Sequence, residues 1–208
     1  TLATDAEFAV DAGIFKDEDI IFSYSALTGP ANIPIFYRSG SASAPVWRRK
    51  AADNFPLIYS GSGGFTGGSG RAAYNQNNAG TYQLTQVGEL FYFNVHYYAV
   101  NDTTQKIIGV LGDANYSTTQ AASDLQDEEL VRIGTVPFLE GVRIASVIFQ
   151  TSSTYANTPK ARIVQNNAYT NYTQWQDKLL KSSQLLAFVQ ANAKFILPIL
   201  SNIEIEFE

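Results

Sequence analysis

The run Glu89–Val100, ELFYFNVHYYAV, holds the densest strand signal in the chain. Side chains on a strand alternate between two faces. Phe91, Phe93, Val95, Tyr97 and Ala99 then share one face, apolar enough to be core. Tyr92, Asn94, His96, Tyr98 and Val100 share the other, where rings with polar tips stand beside an amide. Such a face suits a second layer, a subunit interface or a wet concave surface. This run is read as the central strand of the fold.

The remaining pattern supplies its neighbours. Ile20–Tyr24, Ile33–Arg38, Val46–Arg48 and Phe55–Tyr59 read as strands, with Pro56 arguing for an edge. Arg71–Tyr74 and Thr81–Val87 flank the turn-rich NQNNAG and predict a hairpin. Lys106–Leu111, Val142–Gln150 and Lys160–Val164 follow as apolar strands. Thr118–Leu130 predicts one short helix with Thr118 as its N-cap, although its acids Asp127, Glu128 and Glu129 fall late for the helix dipole. About nine strands separated by turn signals predict an antiparallel β-sandwich of jelly-roll type.

Both ends differ from this body. Residues 1–16 are small and mixed, and read as an N-terminal arm or link. Residues 17–174 form the predicted sandwich domain. In residues 175–208, Trp175, Leu179, Ser182, Leu186, Val189, Ala193 and Ile196 recur at spacings of 4, 3, 4, 3, 4 and 3. This heptad pattern fits a helix packed on its own sheet or a helical bundle between subunits. The final IEIEFE alternates strictly and predicts a strand that needs a partner. Trp175, Leu179, Leu186, Val189, Ala193 and Ile196 are the candidate oligomerisation residues.

Composition narrows the function classes. At 208 residues and 45% hydrophobic, the chain can bury a core. Only 16% of residues are charged, against roughly 25% in soluble domains. Asn, Gln, Ser, Thr and Tyr must supply the polar surface, as in proteins that pack into assemblies or meet sugars, and equally in an ordinary extracellular-type β domain. A net charge of −5 without a basic block argues against nucleic-acid binding. No cysteine is present, which excludes disulfides and thiolate metal sites. No apolar run reaches the roughly 18 residues of a membrane span. The chain opens on Thr1 and lacks methionine, and is expected to be a processed or trimmed chain.

Candidate chemistry is sparse. His96, the single histidine, sits among tyrosines in a strand and reads as structural rather than as a general base. Asp17, Glu18 and Asp19 lack the spacing of a calcium loop. Ser60–Gly70 carries six glycines but no phosphate-binding pattern, and reads as a mobile surface loop with Phe65 as its sticky residue. No GxSxG motif occurs. Paired carboxylates for glycoside hydrolysis cannot be recognised without their spatial separation. Sequons at Asn101, Asn115 and Asn171 matter only in a secretory host. No catalytic residue, cofactor or metal is expected.

Five segments carry a resemblance: Lys16–Leu27 (KDEDIIFSYSAL), Ala44–Leu57 (APVWRRKAADNFPL), Gly70–Gln76 (GRAAYNQ), Leu90–Tyr116 and Val142–Val164. Taken together, over about residues 16 to 176, they resemble virion proteins of tailed bacteriophages, of the tail-fibre or appendage kind. The resemblance implies a β-rich structural domain in an oligomeric virion protein and supplies no functional residues. It does not reach the heptad and the IEIEFE tail. The expectation is therefore a non-enzymatic fibre, spike or head/tail appendage subunit located in the virion. It would be a homotrimer in contact with other virion proteins, without nucleic acid or membrane insertion. The alternative is a module that binds host-surface glycans through Trp47, Phe65, Tyr97 or Tyr98; a polysaccharide depolymerase is the third reading.

Overall fold

The aromatic run folds as the central strand from Tyr92 onward, whereas Phe91, expected on its core face, stands before the strand and is 37% exposed. The computed structural model describes residues 2, 5–17, 20–53, 58–61, 65–66, 70–138 and 140–168. In chain order the elements are β1 (Gly13–Asp17), β2 (Ile20–Tyr24), β3 (Ile33–Ser41), β4 (Val46–Asp53), β5 (Ile58–Tyr59), β6 (Phe65–Thr66), β7 (Ala73–Asn78), β8 (Thr81–Gln86), β9 (Tyr92–Val100), β10 (Ile107–Tyr116), α1 (Thr119–Asp124), α2 (Gln126–Ile133), β11 (Gly141–Thr151) and β12 (Ala161–Ala168). The protein is mainly β and sandwich-like.

The main sheet has the order β12-β11-β9-β10-β3-β8-β7, with β4 also paired to β3. One pairing departs from the antiparallel expectation. Gly109 and Val110 of β10 run parallel to Ile35 and Phe36 of β3, so the sheet is mixed. The residues between these two strands form a long excursion, and a chain returning from one is free to enter beside an earlier strand in the same direction. Hairpin reasoning from adjacent segments cannot see such a pairing.

The first face of β9 builds the core. Phe93, Val95, Tyr97 and Ala99 pack with Ile33 and Ile35 of β3, Leu111 of β10, and Val147 and Phe149 of β11. The Phe93 and Phe149 rings stack with centroids 5.4 Å apart. Tyr74 and Leu84 from the β7–β8 hairpin, and Phe15 and Phe22 from the β1–β2 hairpin, cover this face. Each large apolar side chain enclosed this way stabilises the fold by about 1.5–3 kcal/mol.

Residues 5–16, the continuous described part of the expected arm, belong to this body. Ala6 is fully buried. Phe8 meets Tyr97 edge-on at 5.1 Å, and the Ile163 amide donates to the Asp5 carbonyl at 2.7 Å. Ala6, Phe8 and Val10 do alternate at strand spacing, but the run is short and diluted by small and acidic residues. The amide-rich NQNNAG also changes role. β7 runs through Asn78, and the reversal takes only Ala79 and Gly80, the two-residue loop that hairpins favour.

Thr118 caps α1, its hydroxyl accepting from the Ala121 amide at 3.1 Å. The expected single helix breaks at Leu125 into α1 and α2. Asp127, Glu128 and Glu129 therefore stand in the first turn of α2, and Arg132 in its last. Both placements favour the helix dipole. The heptad residues of 175–208 and the IEIEFE tail lie outside the described residues.

Candidate functional site

The second face of β9 carries two dissimilar arrangements. The first begins at Asn94 and His96, which lie under α1 and α2 and are fully enclosed. The Asn94 amide donates to the Ala122 carbonyl at 3.1 Å and to Glu129 Oε2 at 2.8 Å. His96 Nε2 stands 3.1 Å from the same oxygen, and His96 Nδ1 lies 2.8 Å from Ser146 Oγ on β11. A neutral imidazole protonated on Nε2 satisfies both contacts, with the serine hydroxyl donating to Nδ1.

Glu129 reaches this position because β10 bulges between Leu111 and Asn115. The bulge turns two successive backbone amides toward the helix. Those of Asp113 and Ala114 both donate to Glu129 Oε1, at 2.8 and 3.0 Å. Gly112 leaves the necessary room, since a Cβ there would lie 2.7 Å from Glu129 Oε1 and 2.8 Å from the Asn94 carbonyl. A buried carboxylate is tolerated only when its oxygens are saturated with donors. Here each oxygen receives two.

A second polar group closes the far end of α2. Buried Arg38 of β3 donates to the helix's last carbonyls, those of Arg132 at 2.9 Å and Ile133 at 3.3 Å, and to Asp113 at 3.3 Å. The Arg132 side chain grips the other Asp113 oxygen at 2.9 Å. Burial raises the Asp113 carboxyl above its usual range, against the pull of the Arg132 hydrogen bond. Burial also raises the Tyr116 phenol, with Glu129 adding to the effect.

Ser146, His96 and Glu129 have the connectivity of a nucleophile, a base and an orienting carboxylate. All three are fully enclosed, however, and both imidazole nitrogens are engaged. A substrate would reach Ser146 Oγ only if the helices lifted away. As built, the trio ties α2 to the sheet. Among the described residues no group of three or more His, Cys, Asp or Glu is placed to hold a metal ion. No helix among them is long and apolar enough to cross a membrane.

The second arrangement lies on the same face, toward the end of β9. Buried Val100 and Ile108 floor an open groove of about 700 Å³. Phe36 of β3 and Phe138 of the α2–β11 loop contribute half-buried rings. The Phe138 ring is held by Tyr98, with centroids 5.2 Å apart. The β9–β10 turn supplies the polar rim. Asp102 Oδ1 accepts from the Thr104 and Gln105 amides at 2.7 and 2.8 Å. Those bonds hold the Asp102 carboxyl below its usual range, with help from nearby Arg49 and Lys106. A smaller hollow of about 530 Å³ lies by Gln76, Asn115 and Arg132, where the flanking rings of Tyr74 and Tyr82 are buried.

A third feature ties loops together at the surface. Glu89 accepts from the Ser152 hydroxyl, from the Ser153 amide and from Arg71 at 2.5 Å. The Ser152 and Ser153 hydrogen bonds hold its carboxyl down at about 2.

The sequence-chosen ligand residues do not form one patch. Tyr97 is enclosed in the core and meets Phe8, so it offers no ring to an outside partner. It alternates with Tyr98, which points to the opposite face and packs on Phe138. Trp47 is half-buried on β4, its ring centroid 6.0 Å from the Arg38 guanidinium. The Phe65 side chain lies outside the described residues. Phe36, Phe138 and Asp102 were not expected as site residues, and neither were Glu129, Asn94, Ser146 and Arg38. The turn signal at Asn101-Asp102 was the only available pointer to the groove. Comparison with protein-family models, with curated proteins and with solved structures finds no match to this chain.

Proposed function

We propose that this chain is a non-enzymatic structural subunit of a bacteriophage particle, carried as a fibre, spike or head/tail appendage. The observation that supports this reading best is the commitment of its reactive side chains to internal bonding. Ser146, His96 and Glu129 are enclosed and saturated by one another and by the sheet backbone. A layer fastened by such bonds gives a rigid module for assembly. The weakly charged composition and the segment resemblance to tailed-phage virion proteins point the same way. In this reading the chain assembles as a homotrimer through the Trp175–Ile196 heptad and contacts other virion proteins.

Immunogold labelling of intact particles of the encoding phage tests the location. Labelling at a fixed position on the particle is expected, and particles devoid of the protein would overturn the proposal. Analytical ultracentrifugation tests the assembly. The full chain is expected to sediment as a trimer at micromolar concentration, and a chain lacking residues 175–208 as a monomer. A full-length monomer would remove the assembly role, and a tight trimer of the shortened chain would move the interface to the sandwich.

A further inference from the structure

We propose that the groove between the β9–β10 turn and the α2–β11 loop binds a neutral or amino-bearing saccharide, with Phe36 and Phe138 as stacking platforms and Asp102 as the hydroxyl acceptor. Its volume of about 700 Å³ falls within the roughly 300–1,000 Å³ of small-ligand sites. Three properties single it out. First, it holds both kinds of surface that a sugar ring needs. The half-buried rings of Phe36 and Phe138 meet the C–H face of a pyranose, and the rim side chains of Asn101, Asp102 and Gln105 meet its hydroxyls. The smaller hollow by Arg132 lacks the first kind, because Tyr74 and Tyr82 are buried.

Second, the key groups are held in place before any ligand arrives. Phe138 rests on Tyr98. Asp102 is fixed by two backbone amides on Oδ1, which leaves Oδ2 for a ligand hydroxyl. A preordered acceptor loses little freedom on binding, and a hydrogen bond to a carboxylate is among the stronger ones.

Third, the charge selects among ligands. Asp102 and Glu140 line the groove beside Arg49, and Lys106 lies near Asp102. Acids and bases balance there, so the groove has no cationic excess to draw phosphate or acidic sugars, which leaves neutral or amino sugars. The polar rim likewise disfavours an acyl chain.

This inference is independent of the location in a phage particle, because a protein absent from the particle would still bind the sugar. The test uses the full chain. An array of neutral, N-acetylated, amino and acidic oligosaccharides is screened, and the best binder is titrated into isotope-labelled protein. Binding of a neutral or amino sugar is expected, with amide shifts concentrated in residues 101–105 and around Phe138. Asp102→Asn keeps an oxygen for the Thr104 and Gln105 amides but removes the charge, and should weaken binding by about tenfold or more. Phe138→Leu keeps apolar bulk but removes the ring, and should weaken binding with the fold intact. The proposal is overturned by no saccharide binding at millimolar concentration or by a preference for acidic sugars. Shifts confined to another surface, or full affinity in both variants, would also overturn it.

Discussion

Within a few residues, the second face of β9 meets its surroundings in two ways. At Asn94 and His96 it is polar, and two helices seal it completely. At Tyr98 and Val100 it is mostly apolar, and a loop ring and a turn leave a groove beside it. The polar half is closed and the apolar half is open, the reverse of the simplest hydrophobic expectation. The difference lies in what covers each half. A buried polar strand face needs a cover that supplies matching groups, and α2 brings Glu129. An apolar floor needs only partial shelter, so its rim groups keep bonding capacity to spare. Closure here follows hydrogen-bond saturation, not hydrophobicity alone.

That contrast can be broken first at its strongest point. Glu129→Ala leaves the Asp113 and Ala114 amides, Asn94 and His96 without their acceptor. It should cost about 3–5 kcal/mol, close to the about 3–5 kcal/mol expected for Phe93→Ala in the apolar core. Urea denaturation of both variants makes the comparison. A loss below about 1 kcal/mol for Glu129→Ala would show that the helices are held by something else.

Gly112→Ala tests the same seal without removing any polar group. The added methyl meets both Glu129 and the Asn94 carbonyl, and should cost about 1–3 kcal/mol by thermal unfolding.

An acid titration separates the sealed cluster from the surface latch. The Glu89 carboxyl, at about 2 in the folded chain against an ordinary 4.5, favours the folded state when ionised. Its contribution is present above pH 4.5 and is lost as pH falls from 4.5 toward 2. Glu89→Gln should flatten the decline of melting temperature across that window. Asp113 runs the opposite way, because burial raises its carboxyl. Its effect is present below the ordinary carboxyl pKa of 3.8 and is lost as pH climbs through the raised one.

The smallest effect belongs to the groove. Asp102→Asn should change unfolding free energy by no more than about 0.5 kcal/mol, since the side-chain oxygen that fixes the turn remains. Stability insensitive at Asp102 and sensitive at Glu129 is what the two-halves comparison requires.

The strands were legible because alternation is a local signal. β2 (Ile20–Tyr24) begins and ends where its pattern does, and of the predicted inward set Phe93, Val95, Tyr97 and Ala99 are core while Phe91, one residue before β9, is exposed. The parallel β3–β10 pairing was not legible, because it joins distant segments. Neither was the seal. Its members lie on β9, β10, α2 and β11, and only the fold brings them together. α2 also defies periodicity: Gln126 and Glu129 face inward while Val131 is 81% exposed. A pattern rule that places apolar residues inside would bury Ile133 correctly but would neither enclose Glu129 nor leave Val131 outside. His96 was read as structural, and its bonds to Ser146 and Glu129 fit that role. The groove was missed because Phe138 stands in an irregular loop and Phe36 in an ordinary strand, where neither carries a sequence mark.

The bulge in β10 also sets a timescale. The amides of Asp113 and Ala114 belong to the sheet by sequence and to the helix by bonding. In hydrogen exchange they should be released when α2 lifts, whereas amides of the regular β9–β10 ladder wait for the strands to part. The two rates would bracket a state with an intact sheet and an opened lid. The ratio between them would measure how often His96 and Ser146 see water.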